Sequence, residues 1–134
     1  MRVLLRASFW LALVVLLAAP AAAQNVWTGA SSDSWFDVAN WSSGQLPDAN
    51  DDVTVLNVGF APRVLAGTAT TRNLDILEGA QVSVEGTGTL EVRGDLTLLA
   101  SGAGTGQLAL DTSASQVKVF GVWTQDDAFA VTSN

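Results

Sequence analysis

The feature that most constrains this chain is a four-residue pattern that recurs at an almost constant interval. Each copy alternates polar and apolar residues, and its first position is an acid or an amide. The first apolar residues of successive copies are 21, 22 and 21 positions apart. The copies are Asp52–Val55, Asn73–Ile76, Asp95–Leu98 and Gln116–Val119. A period of two is typical of strands, and a fixed longer period indicates stacked structural repeats.

This repeat predicts an all-β fold, a short parallel β-helix (β-solenoid) of about four coils of 21–22 residues with a Trp-rich N-terminal cap. Strands of successive coils would lie ~4.8 Å apart, so equivalent residues would form columns. Two apolar columns are expected inside: Val53, Leu74, Leu96, Val117 and Val55, Ile76, Leu98, Val119. One column is expected outside: Thr54, Asp75, Thr97, Lys118.

A further column is expected at the corners, where side chains can bond backbone N–H groups. Its members are Asp52, Asn73, Asp95 and Gln116. Additional strands are predicted at the apolar pairs Val82/Val84, Leu90/Val92 and Leu108/Leu110. An antiparallel β-sandwich is the alternative, because it also contains short alternating strands. It does not require near-equal steps, so the spacing favours the solenoid.

The first 23 residues have the order of a secretory signal peptide. Arg2 and Arg6 precede an apolar run from Phe9 to Ala19, and small residues follow Pro20. The run is short for a membrane span of ~20 residues, which disfavours an uncleaved anchor. We predict a signal peptide at 1–23, a cap at 24–51 and solenoid coils at 52–134. The mature protein, starting at Gln24, is expected to be secreted or cell-surface and not membrane-spanning.

Composition restricts the chemistry of the mature chain. Its 13 acidic residues outweigh four basic ones, which disfavours binding to nucleic acid. The chain has no histidine and no cysteine. Histidine-based catalysis, disulfides and ordinary zinc sites are therefore excluded. We expect no enzyme activity, no catalytic residue, no cofactor and no metal site.

Three tryptophans, Trp27, Trp35 and Trp41, precede the first repeat. Indole rings can stack on apolar sugar faces, which suggests a carbohydrate-binding platform. The other interpretation, that they cover the open end of the core, is favoured by their position just before the first strand.

Acidic residues suggest two weaker sites. Asp48, Asn50 and Asp52 alternate as in a calcium loop, but Val53 stands where that loop has glycine and Gly59 where it has its bidentate acid. Glu78, Glu85 and Glu91 are candidates for the paired carboxylates of a polysaccharide-cleaving enzyme. In both cases, solvated turn or surface charge is the favoured interpretation.

Residues 26–58 resemble the start of exported bacterial parallel β-helix proteins, a group that includes autotransporter passenger-like domains and surface solenoids of environmental bacteria. The resemblance covers the cap and the first strand. It lies in Val26–Gly29, Ser34–Trp35, Ala39–Trp41, Leu46–Pro47 and Asp51–Val55. It implies an N-terminal cap followed by a repetitive body.

Three hypotheses follow, in order of preference. The first is a structural or adhesion-type solenoid whose partner is an extracellular glycan or a neighbouring surface. The second is a small carbohydrate-binding module that uses the tryptophans, and the third is a fragment of a polysaccharide-degrading β-helix enzyme. At the C-terminal end, either Trp123 and Phe129 close the stack or the solenoid continues beyond Asn134. The second of these is slightly favoured.

Overall fold

The computed structural model describes residues 23–100, 107–125 and 130–133, the last range by its backbone alone. These ranges contain short strands and one 3-10 helix at Val38–Asn40, so the predicted all-β class is confirmed. Residues 1–22 of the predicted leader and Phe129 lie outside them. The strands are β1 (Gln24–Trp27), β2 (Asp52–Val55), β3 (Arg63–Val64), β4 (Thr68–Thr71), β5 (Asn73–Ile76), β6 (Gln81–Val84), β7 (Thr89–Val92), β8 (Leu96–Leu98), β9 (Gln107–Leu110), β10 (Gln116–Val119), β11 (Trp123–Gln125) and β12 (Ala130–Ser133).

The strands form three sheets, and every pairing between named strands is parallel. The five-stranded sheet has the order β1-β2-β5-β8-β11, the three-stranded sheet β4-β7-β10 and the four-stranded sheet β3-β6-β9-β12. From β2 to β12 the chain visits the three sheets in strict rotation. The antiparallel sandwich, which the alternation had left open, is therefore wrong. Within the described ranges, no helix has the length and hydropathy needed to cross a membrane.

The predicted columns exist over the first three repeats. Val53 pairs with Leu74, and Leu74 pairs with Leu96, all essentially without solvent exposure. The second inner column, Val55, Ile76 and Leu98, is also buried. The outward column Thr54, Asp75 and Thr97 is in register as predicted. Alternation of polar and apolar residues along each strand therefore builds one buried face and one face directed toward solvent.

The fourth repeat was assigned to the wrong sheet. Val117 pairs with Leu90 in the three-stranded sheet, whereas the neighbour of Leu96 is Trp123. Val119, Lys118 and Gln116 move with Val117, opposite Val92, Glu91 and Thr89. The physical reason is a longer corner after β8, because β9 starts nine residues after Leu98 while β6 starts five residues after Ile76. A 21-residue step from Leu96 consequently ends one strand too early.

The N-terminal segment is itself part of the five-stranded sheet. β1 pairs with β2, so that Trp27 lies over Val55 and Asn25 over Val53. Asn25 is 2% exposed, and its amide nitrogen donates a 3.0 Å bond to the Gln45 carbonyl. A buried amide is tolerated when its polar atoms have partners. The predicted cap thus adds a strand and then folds over the end of the core.

Candidate functional site

The outward face of the five-stranded sheet carries a polar groove. Two columns of side chains cross this face. One lies at the starts of the strands, and the other lies two residues further along each strand. The groove is shallow, with a volume of about 440 Å³. Its lining residues are Gln24, Asp52, Thr54, Asn73, Asp75, Asp95 and Thr97. All seven side chains can form hydrogen bonds, so the face suits a polar partner.

A chain of side-chain bonds fixes the strand starts. The Asn73 Nδ2 donates to Asp52 Oδ1 at 2.8 Å, and the Asp95 backbone N–H donates to Asn73 Oδ1 at 2.8 Å. The Val122 backbone N–H donates to Asp95 Oδ1, also at 2.8 Å. The corner role predicted for Asn73 and Asp95 is confirmed. It was wrong for Gln116, which lies in another sheet.

Two glycines make this chain of bonds possible. A Cβ at Gly94 would lie 2.2 Å from Asn73 Oδ1, and one at Gly121 would lie 2.4 Å from Asp95 Oδ1. Any larger residue would therefore displace the corner side chain that it faces. Gly94 lies two residues before the start of β8, and Gly121 lies two residues before the start of β11. This shared position of glycine is the sequence signal that aligns β11, and not β10, with β8.

Two acids on this face, Asp52 and Asp75, differ in whether a basic side chain neutralises them. The Arg72 Nε donates to Asp52 Oδ1 at 2.8 Å, and this guanidinium holds the pKa of Asp52 below its ordinary value. Asp75 lies between Thr54 and Thr97 on the outward column. Its carboxylate forms no side-chain hydrogen bond or ion pair within the described ranges. Asp75 is thus the acid on this face that is best placed to accept bonds from a partner.

The calcium-like segment is a local turn. Asp48 Oδ1 accepts the Asn50 N–H at 2.7 Å, and Asp51 Oδ2 accepts the Asp48 N–H at 2.9 Å. Asp52 faces Arg72 instead. In the described part of the chain, no group of three or more acidic residues is arranged to hold a metal ion.

The three glutamates lie in or after strands of three different sheets. Glu78 follows β5, Glu85 follows β6 and Glu91 belongs to β7. Glu85 faces Arg63 at 3.8 Å. Glu91 faces Arg93 at 2.7 Å and Lys118 at 3.4 Å. The structure therefore does not bring them together as the facing acids that glycoside hydrolysis requires.

The three tryptophans form a buried cluster. Trp27, Trp35 and Trp41 are 0%, 1% and 3% exposed, and the Trp41 ring meets those of Trp27 and Trp35 edge to face at 5.0 and 4.8 Å. The Trp27 Nε1 donates to the Phe60 carbonyl and the Trp41 Nε1 to the Trp35 carbonyl. No ring face is left for a sugar, so the cluster functions in packing.

Sequence reasoning missed a second groove beside the five-stranded sheet. Leu56, Leu77 and Leu99 each follow one of its strands and line this groove with Asn57, Glu78 and Ala100. The signal was present, because these leucines recur with the same period as the inner columns.

A family model described as "Domain of unknown function (DUF8693)" matches residues 26–130. The chain belongs to this family. The DUF8693 match contains the whole segment 26–58 that resembles exported β-helix proteins, and it extends through all three sheets. No curated protein and no solved structure matches the chain. The description of the DUF8693 family states no activity.

Proposed function

We propose that the three sheets are the faces of a β-solenoid of about four coils, exported as a structural or adhesive element of the bacterial surface. Strict rotation of the strands supports the solenoid, because each rotation adds one strand to every sheet. The order of residues 1–23 supports export. The resemblance of residues 26–58 to exported β-helix proteins points to the same role.

One observation carries the adhesive role. Thr54, Asp75 and Thr97 stand in register on adjacent strands, so hydrogen-bonding groups repeat every ~4.8 Å along the face. A repeated partner such as a polymer can engage several of these groups together, and avidity then exceeds the strength of a single bond. The three glutamates lie in or after strands of three different sheets, which supports a binding role over a catalytic one.

Adhesion of beads coated with the mature chain to neighbouring bacterial cells tests the proposal. The double variant Asp75→Lys, Thr97→Lys should lower bead retention at least tenfold, with an unchanged circular dichroism spectrum. The control is Thr68→Lys, an exposed outward position on the three-stranded sheet, which should retain binding. Absence of retention by the parent protein, or equal losses in both variants, would contradict the proposal.

A second candidate is direct glycan binding in the polar groove. The seven hydrogen-bonding side chains that line it favour this function. Asp75 and Asp95 would repel acidic polysaccharides, so a neutral or amino-sugar glycan is the expected ligand. A glycan array with the parent and Asp75→Ala proteins distinguishes the candidates. Signals that vanish in the variant support glycan binding, and a blank array combined with cell adhesion leaves a protein surface as the partner.

A further inference from the structure

The carboxylates that line the polar groove change column from one strand to the next. On β2 the acid is Asp52, in the column at the strand starts. On β5 it is Asp75, in the column two residues further along, and immediately before β8 it is Asp95, in the first column again. The register fixes this pattern, because Asp52 lies opposite Asn73 and Asp75 lies opposite Thr97. Equivalent acids therefore recur on every second strand.

The uncharged lining residues follow the same two-strand pattern. Thr54 and Thr97 fill the second column on β2 and β8, where the acid is in the first. On β5 the order is reversed, because Asn73 is in the first column and Asp75 in the second. Gln24 on β1 continues the first column with another amide. The surface thus repeats over two strands, a distance of roughly 9.6 Å.

This repeat distinguishes between extended polymers that could lie across the strands. Side chains on one face of an extended peptide recur about every 6.6 Å, so they fall out of step with the groove. A chain of β-linked glucose units is a flat ribbon in which each sugar advances by nearly one strand spacing and is turned over relative to the one before. Its equivalent hydroxyl groups therefore alternate between the two edges of the ribbon, as the acids alternate between the columns.

The two acids of the first column retain capacity to accept bonds from a ligand. A carboxylate offers about four acceptor positions. Asp52 uses three of them, for two nitrogens of Arg72 and one of Asn73. Asp95 accepts the N–H of Val122. Hydrogen bonds from sugar hydroxyls to carboxylates are charge-assisted and stronger than those between neutral groups.

We propose that the polar groove binds an extended, β-linked polysaccharide of ribbon form, which crosses the strands with one sugar on each strand. The lining residues belong to β1, β2, β5 and the start of β8, so the groove accommodates about four sugars. This inference rests on the glycan-binding candidate of the proposed function and adds the linkage and the direction of the chain.

Calorimetric titration with cello-oligosaccharides of two to six glucose units tests the proposal. Affinity should rise with each added sugar up to about four and then level off. Malto-oligosaccharides are the matched control, because they contain the same sugar in an α-linked, coiled chain. They should bind at least tenfold more weakly at equal length. Equal affinities for the two series, or no binding of the cello-oligosaccharides, would overturn the proposal.

An exchange variant tests the alternation of the acids. Thr54→Asp, Asp75→Thr keeps the composition and net charge but moves the acid of β5 to β2. It should lower the affinity for cello-oligosaccharides at least tenfold with an unchanged circular dichroism spectrum. Thr70→Asp, at an outward position of the three-stranded sheet, is the control and should bind like the parent. Full binding by the exchange variant would overturn the proposal.

The bead assay separates this inference from the adhesive role. Retention of beads by cells, combined with no binding of cello-oligosaccharides, would overturn the inference and leave the adhesive role in place. Cello-oligosaccharide binding without bead retention would support the inference and contradict the adhesive role.

Discussion

Residues 52–98 and residues 107–125 follow the same alternation but different spacing. In the first region, strand neighbours in the five-stranded sheet are 21 or 22 positions apart, as in Val53, Leu74 and Leu96. In the second region, the neighbour of Leu96 is Trp123, 27 positions further on. Alternation therefore identifies a strand, whereas the length of the corners decides to which sheet the strand belongs.

The largest expected effect contrasts the cores of these regions. Leu74→Asp places a charge in a fully buried column and should abolish cooperative folding, because an unpaired buried charge costs several kcal/mol. Val117→Asp should still fold, since Val117 is half-buried at the end of its column. Urea unfolding followed by circular dichroism measures both. Equal effects would contradict the difference in burial.

The first region also shows how much of the fold the sequence contained. Leu74 and Leu96 were correctly predicted to pair on adjacent strands, because the steps from Val53 to Leu74 and from Leu74 to Leu96 are nearly equal, at 21 and 22 residues. Val117 was misplaced because Gln116–Val119 has the same polar and apolar order as Asn73–Ile76. Pattern alone cannot separate two strands that each bury alternate residues against one core.

The candidate site, like the fold, was predictable from the sequence only in part. The period placed Thr54, Asp75 and Thr97 on one outward face, as the structure shows. The pairing of Asp52 with Arg72 was not predictable, because it depends on where a flexible guanidinium folds across neighbouring strands. The position of the three tryptophans just before the first repeat favoured their burial. The sequence did not show the path of residues 40–42 beside β1, and the structure was needed to establish that burial.

The corner side chains give the next largest difference. Asn73→Ala removes two 2.8 Å bonds and should lower the free energy of unfolding by about 1–2 kcal/mol. Gln116→Ala should have an effect below about 0.5 kcal/mol, because its side chain is exposed and forms no hydrogen bond within the described ranges. Urea denaturation of both variants measures the contrast, and a larger loss for Gln116→Ala would contradict the corrected register.

The ion pair of the first region predicts a small pH dependence. Since Arg72 lowers the pKa of Asp52 below 3.8 in the folded protein, the pair stabilises the fold above that pH. The contribution disappears as the pH falls through the folded-state pKa. Both side chains are partly exposed, so solvent screening should keep the contribution small. Arg72→Met should be less stable than the parent at pH 6, and the difference should shrink as the pH falls below 3.8 in urea titrations. A difference that stays constant over this range would show that Arg72 acts through packing.

The smallest effect is expected on the outward column. Thr54→Lys should change the free energy of unfolding by no more than about 0.5 kcal/mol, as is usual at surface positions. The same denaturation measurement applies. A loss comparable to that of Asn73→Ala would mean that the face is packed against another part of the protein.

Crosslinking between strands tests the central claim, the register of the parallel sheets, most directly. The chain has no cysteine, so introduced pairs report without background. The account predicts that Thr97→Cys, Thr124→Cys joins readily through a short thiol crosslinker, because these residues are Cα partners on adjacent strands. Thr97→Cys, Lys118→Cys should remain unlinked within the chain, because its positions lie in different sheets. Efficient linkage of the second pair and none of the first would contradict the account.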